Sequence, residues 1–580
     1  MKPSNHSAEA RLLAVARGEE PADLLLCGGQ VVNVFTGEVS RADVAVCGER
    51  VAGVGHGYTK AREKVDVTGM YVAPGFIDGH VHVESSLLAV HDFARLVLAH
   101  GTTAVVCDPH EIANVLGLAG VRYLLKASAG LPLDLFVMAP SCVPSTEMES
   151  SGARIGAAEV KSLLKLDRVI GLAEVMNYPG VVFGDREVMA KIAAARALGR
   201  PVDGHAPGVV GQLLQAYVAA GVGSDHECVG PQEAAEKLRA GMRLMVREGS
   251  AARNLSALLP AVNDFNRHRC MFVTDDRHPE DLLRSGHIDA VLRKAEVQGM
   301  HPVAAIQMVT INPATYFGLT DRGAVAPGYR ADLVVIGDLP RFNARLVFKN
   351  GRLVARDREV LVKLAAFKDK SVTGTVRIKP LTVRSFAIKA EGELCRAIRL
   401  VPDQIITESY RVQPTVEKGW VMADPERDLL KLAVVERHKR TGRVGLGLVS
   451  GFGLKKGALG TSVAHDSHNL IIVGTNDADM LKAARELARM GGGYVAVAGG
   501  KVSAKLALPI AGLMSDAPAE KVVEDLSRLL DKAHVWGSRL HNPFITLSFL
   551  ALPVIPELKL TDRGLVDVAK FERVSLFFED

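Results

Sequence analysis

The segment His80-Val81-His82-Val83-Glu84 places two imidazoles and a carboxylate at alternate positions at the end of an apolar run. Side chains alternate along a strand, so His80, His82 and, if the strand continues, Glu84 are expected to share one face. A pair of imidazoles spaced in this way can grip one cation from a rigid element. Four further apolar runs end in residues with donor atoms: Glu174 in VIGLAEVMN, His205 in PVDGHAPG, His226 in GVGSDHE and Asp275 in MFVTDD. Neutral imidazoles together with carboxylates suit borderline divalent metals such as zinc, manganese or iron. Six ligands point to two metals rather than one, with Glu174 able to bridge them through its two oxygens and Asp275 close by as ligand or base. Any of these residues alone is a weak signal, because a lone histidine at a strand end is more often packed and hydrogen-bonded. Their joint placement at successive strand ends carries the inference.

Those strand ends belong to a regular series. Between about Tyr71 and Leu319 lie VAPGFIDGHVH, TTAVVCDPHE, LDLFVMAP, VIGLAEVMN, PVDGHAPG, GVGSDHE, MRLMVREG and MFVTDD, most followed by a helical pattern such as EVMAKIAAARALG or PQEAAEKLRAG. Eight such units in ~250 residues outline an α/β fold, a TIM-like (β/α)8 barrel whose C-terminal strand edge carries the chemistry. Short β-branched runs broken by glycine flank the series, in residues 1–70 and again in 320–370, and predict one small β-sandwich domain interrupted by the barrel of 71–319. Residues 371–580 read as a C-terminal α/β domain, with DPERDLLKLAVVERHKRTG and DADMLKAARELARMGGG as helices and NLIIVGT as a strand.

The motifs PGFIDGHVHVESS, GLAEVMNYPGVV, DGHAPG, SDHE and VTDDRHPEDLLRSGHID resemble the amidohydrolase superfamily. In combination with NPATYFGL, GAVAPGYRADLVV and GALGTSVAHDSHNLIIVGTNDADM, they are similar to the adenine deaminases of bacterial and archaeal type over nearly the whole chain. The resemblance implies that His80, His82, Glu174, His205, His226 and Asp275 hold a binuclear centre of manganese or iron, with zinc as an alternative. It also implies hydrolytic deamination of adenine to hypoxanthine and ammonia, in purine salvage. Many relatives bridge their metals with a carboxylated lysine; VIGLAEVMN contains none, which leaves Glu174 as the natural substitute.

In that chemistry Asp275 is expected to accept the proton of the attacking water and pass it to the departing amine. Glu84 is the candidate donor to the purine ring nitrogen, with Ser85 beside it in the substrate site. Asp108 and His110 of CDPHEI are candidates for lining the purine pocket or orienting the ligands. Asp276 could support Asp275, whereas His278 reads more simply as a surface residue. HDSHN, His465 to Asn469, reads by default as a polar turn between strands, with closure over the purine or binding of a further ion as the alternatives.

Composition narrows the partners. The net charge of +5 is small against 70 basic and 65 acidic residues, and only 5% of residues are aromatic, so a nucleic-acid-binding stripe is not expected. Seven scattered cysteines, never spaced CxxC, suit a reducing compartment. No secretory signal is evident at the N-terminus, and NPFITLSFLALPVIP is too short and proline-rich to span a bilayer, so a cytoplasmic enzyme without membrane partners is expected. Its partners would be adenine and water, and its assembly a homodimer or higher homo-oligomer. The His82-Val83-Glu84 triplet also spells the H-x-E of zinc nucleobase deaminases, but their CxxC is missing. A cyclic-amide hydrolase of the same superfamily, or a non-catalytic scaffold with this fold, are the competing expectations.

Overall fold

Eight short strands form a parallel ring: β1 (Phe76–Val81), β2 (Thr102–Cys107), β3 (Asp134–Pro140), β4 (Val169–Val175), β5 (Val202–Gly204), β6 (Ser224–Asp225), β7 (Arg243–Arg247) and β8 (Cys270–Val273). The computed structural model describes residues 5–402 and 404–578. Neighbours in sequence are neighbours in the sheet. The ring closes where His82 N donates to Asp275 O at 3.2 Å and Asp275 N donates to His80 O at 2.9 Å. Strands covered on both faces read as near-continuous apolar runs, as β4 does, being buried along its whole length. Along β3, Phe136 and Met138 point into the barrel with Ile77, Ile170, Met245 and Met271. The alternate residues Leu135 and Val137 join the outer core beneath the helices. Because side chains fill the barrel, polar groups collect at the C-terminal rim.

Two sheets make up the flanking sandwich. One runs in the order Arg50–Gly55, Asp43–Cys47, Ala22–Cys27, Ala61–Asp66; the other contains Ala344–Lys349, Leu333–Ile336, Tyr71–Pro74 and Gln30–Val32. Their shared core includes Leu24, Val44, Val72, Leu333 and Phe348. Tyr71–Pro74 pairs with Leu333–Ile336 on one side and Gln30–Val32 on the other. These four residues therefore belong to the sandwich sheet, and the chain leaves it directly into β1.

The C-terminal region is built on an eight-stranded, mostly antiparallel sheet from Thr407–Val412 at one edge to Lys501–Ala507 at the other. The helix Asp477–Met490 packs Met480, Ala484 and Leu487 onto it. The expected helix over DPERDLLKLAVVERHKRTG is instead the strand Leu430–Val435, buried throughout. It pairs antiparallel with Val444–Ser450 and with Leu470–Gly474, so tertiary pairing overrides the local helical pattern. This region is fastened to the barrel by main-chain bonds, Ser515 N to Leu87 O at 2.7 Å and Ala89 N to Ser515 O at 3.0 Å. Among the described residues no helix is long and apolar enough to cross a membrane.

Candidate metal centre

The first strand does not deliver its residues by simple alternation. Its pairing with β2 shifts register between Asp78 and Val81, the strand stops at Val81, and Val83–Ser86 forms a 3-10 turn. Glu84 therefore reaches the site through that turn, and the expectation that it shares a strand face with His80 and His82 is corrected. At the opposite side of the seam Asp275 adopts φ 58°, a left-handed conformation that aspartate tolerates better than most residues. Asp78 fixes this corner from below, accepting from Thr274 Oγ1 at 2.5 Å and from Thr274 N at 3.2 Å.

These elements bring all six expected donors together, buried except for His205. Asp275 Oδ1 lies 3.4 Å from His80 Nε2 and 3.1 Å from His82 Nε2. Glu174 spans the gap: Oε1 is 3.3 Å from His82 Nε2 and 3.9 Å from His80 Nε2. Its Oε2 is 3.1 Å from His226 Nε2 and contacts His205 Nδ1. One carboxylate thus faces two histidine pairs, as a bridging ligand must. The rings of His80 and His226 stack with centroids 4.2 Å apart.

The donor chemistry fits divalent cations. His82 Nδ1 lies 2.8 Å from the Asp108 carbonyl, which can only accept, so Nδ1 carries the proton and Nε2 presents its lone pair to the centre. His80 Nε2 is buried without a hydrogen-bond partner in the protein, a state expected of a group that a ligand satisfies. Groups of donors close enough to share one ion include His80 with His82 and Asp275, and His80 with Glu174 and His226.

Charge organises the surroundings. Burial pushes the Glu174 carboxyl up, but His226 and His205 outweigh it and hold the group well below the carboxylate range. For Asp275 burial is likewise overcome, chiefly by Arg247, whose Nη1 donates to Asp275 Oδ2 at 3.0 Å. Glu84 is different: burial and the nearby Glu111 raise its carboxyl to about 7. Its Oε1 accepts from Ile112 N at 3.1 Å, while Oε2 is buried without a protein partner.

Asp108 is fully buried; its Oδ2 accepts from Glu174 N at 2.7 Å, and its Oδ1 is buried without a protein partner. His110 Nδ1 approaches Asp108 Oδ2 at 3.3 Å and Glu174 Oε1 at 3.8 Å, and its ring sits edge-on to His82. Ser85 Oγ donates to Asp276 Oδ1 at 2.5 Å. His278 is not a surface residue; with Ser85 and Asp276 it lines a cavity at the junction with the C-terminal region. HDSHN is more than a polar turn. It lies buried at the barrel mouth, with His465 Nδ1 2.7 Å from Glu111 Oε1 and Asp466 Oδ1 3.9 Å from His110 Nε2.

Sequence reasoning passed over Arg247, Glu227, Glu111 and Asp78. Each lies within a quoted strand-end run, VREG, SDHE, CDPHE and PGFIDGH. Position in the runs was thus a signal, but their partners lie far away along the chain.

Residues 71–354 match the amidohydrolase family, and residues 404–572 match the adenine deaminase C-terminal domain. An adenine deaminase of Desulfatibacillum aliphaticivorans is 50% identical over 567 residues, covering 98% of this chain and 99% of its own. One from Methanothrix thermoacetophila is 50% identical over 572 residues, with coverage of 98% and 99%. A solved structure of D-aminoacylase, whose description names a binuclear metal center, covers 60% of this chain at 20% identity with a TM-score of 0.44.

Proposed function

The chain belongs to the adenine deaminase branch of the amidohydrolase family, and we propose that its reaction, the hydrolytic deamination of adenine to hypoxanthine and ammonia, runs at the rim centre just described. The single observation that carries this assignment to the site is Glu174, one buried carboxylate facing His80 and His82 with one oxygen and His205 and His226 with the other. In this scheme His80, His82 and Asp275 would hold one divalent cation and His205 and His226 the other, with Glu174 shared. Manganese or iron is the expected pair. When bound, such cations acidify water from a pKa of about 15.7 toward about 7 and offset the charge of the carboxylates.

The chain's own residues do the rest. Asp275, held by Arg247 through Oδ2, takes the proton of the attacking water and returns it to the amine leaving C6. Attack at C6 pushes an electron pair toward ring nitrogen N1. Glu84 meets it with a proton on Oε2, the oxygen that no protein donor reaches, and regains one from the C6 hydroxyl as ammonia leaves and the C6 carbonyl of hypoxanthine forms. Its other oxygen stays anchored on Ile112 N, which fixes the direction of transfer. Asp108 and His110 orient Glu174 and His82.

The test is a substrate panel of adenine, adenosine, cytosine and cyclic amides on manganese-loaded protein, following ammonia and ring opening. Ammonia release from adenine is expected. Hydantoin or dihydroorotate opening without adenine turnover would overturn the assignment.

A further inference from the structure

The five residues His465 to Asn469 come from the C-terminal region yet lie at the mouth of the barrel. Several anchors hold them still. Asn469 Nδ2 donates to Ser150 O at 2.7 Å, and His438 Nε2 donates to Ser467 O at 2.7 Å. Arg437 Nε donates to His468 O. His468 Nδ1 accepts Ala464 N–H at 3.2 Å, so its hydrogen sits on Nε2, 3.8 Å from Glu111 Oε2. That tautomer offers a donor rather than a lone pair, so the group is not arranged as a cation site; His465 alone hydrogen-bonds the Glu111 carboxylate, and His468 Nε2 is buried without a protein partner.

Glu111 fixes His465 in turn. With Glu111 Oε1 2.7 Å from Nδ1, the Nδ1–H donates to the carboxylate. Burial is outweighed by this ion pair, which raises the imidazole to about 9, so the ring is an imidazolium at neutral pH and Nε2 carries a hydrogen as well. One ring face lies 4.6 Å from Phe549, nearly parallel to it. The backbone N donates to Ser548 O at 3.1 Å. The side chain lines a cavity together with Ser85, Asp276 and His278 of the barrel and Tyr494 and Phe549 of the C-terminal region. Ser85 and Asp276 directly follow Glu84 and Asp275 in sequence, so this cavity adjoins the reacting groups. Nearby, Asp466 Oδ2 is buried with no protein partner, as expected where a ligand supplies the missing hydrogen bond.

We propose that the C-terminal region completes the purine site, with His465 Nε2–H donating to a ring-nitrogen acceptor of adenine on the imidazole or N3 edge and Glu111 positioning that imidazole. This rests on the deaminase assignment. It makes His465 a specificity-determining residue that touches the base, and Glu111 a positioning residue that acts through it.

The experiment compares adenine with 7-deazaadenine and 3-deazaadenine, each lacking one acceptor, on the full-length, metal-loaded wild type and on His465→Ala. With adenine, the substitution is expected to raise KM about ten- to hundredfold, the loss of one charge-assisted hydrogen bond, with a smaller change in kcat. With one of the two analogues it should have no further effect, because the acceptor is already gone. His465→Gln, which keeps a donor, should recover most of the affinity, and Glu111→Gln should raise KM in the same acceptor-dependent way. An equal penalty on all three bases, or an unchanged KM for adenine, would overturn the inference. A wild type that turns over no adenine would sink the deaminase assignment and this inference together, so the two failures are distinguishable.

Discussion

At the scale of single residues the centre divides its labour by environment. Asp275 is held ionised, with one oxygen toward His80 and His82 and the other on Arg247. Asp275→Asn keeps the shape and removes the base, so turnover should fall by about 10²- to 10⁴-fold while metal analysis still finds most of the bound ions. Near-normal turnover with full metal content would exclude Asp275 as the proton shuttle. Glu84 touches none of the ligand histidines in the same way. Glu84→Gln should therefore lower kcat by about 10²-fold or more and leave metal content intact, which steady-state kinetics beside elemental analysis will show. The six donors were legible because each ends an apolar run. Arg247 and Glu111 were not, since an ion pair across about 28 residues of chain, or 354 between Glu111 and His465, leaves no local pattern.

At the scale of elements, the backbone places these groups more tightly than periodicity alone conveys. The strand segments and most helices were legible from apolar runs and breakers, but the shift in β1 and the 3-10 turn that carries Glu84 were not. Both depend on pairing with β2 and on closure against Asp275. Gly204, next to His205, shows how close the packing is: a Cβ there would meet Ser224 O at 2.5 Å and Tyr217 Oη at 2.8 Å. The obstacle is backbone, so it cannot rotate away. Gly204→Ala is expected to cost about 1–3 kcal/mol in chemical denaturation and to weaken metal retention by shifting His205. A variant as stable and as metal-replete as the parent would show that β5 tolerates displacement. In the C-terminal region, the leucines and charges of Leu430–Val435 fit both a helical and a strand period, and its antiparallel pairing with two neighbouring strands decides for the strand.

At the scale of the whole molecule, the C-terminal region is a structural part of the site rather than an appendage, through Ser515 on Leu87 and the His465–Glu111 pair. Its interior also contains a pH-dependent strain. Lys559 is fully buried with Nζ on Ile405 O at 2.9 Å, and burial lowers its pKa from 10.5 to about 7. The unfolded chain then binds more protons than the folded one between about pH 7 and 10.5, so stability rises with pH across that window and the penalty is complete below it. Lys559→Met should flatten this slope, read as unfolding free energy from denaturant titrations at several pH values. An unchanged slope would mean that Lys559 stays charged in the fold. If two cations on the six rim residues support adenine deamination, ammonia release from adenine, measured as manganese is added to metal-free protein, should rise to a plateau at two equivalents per chain; full activity without added metal or at one equivalent would contradict a binuclear centre.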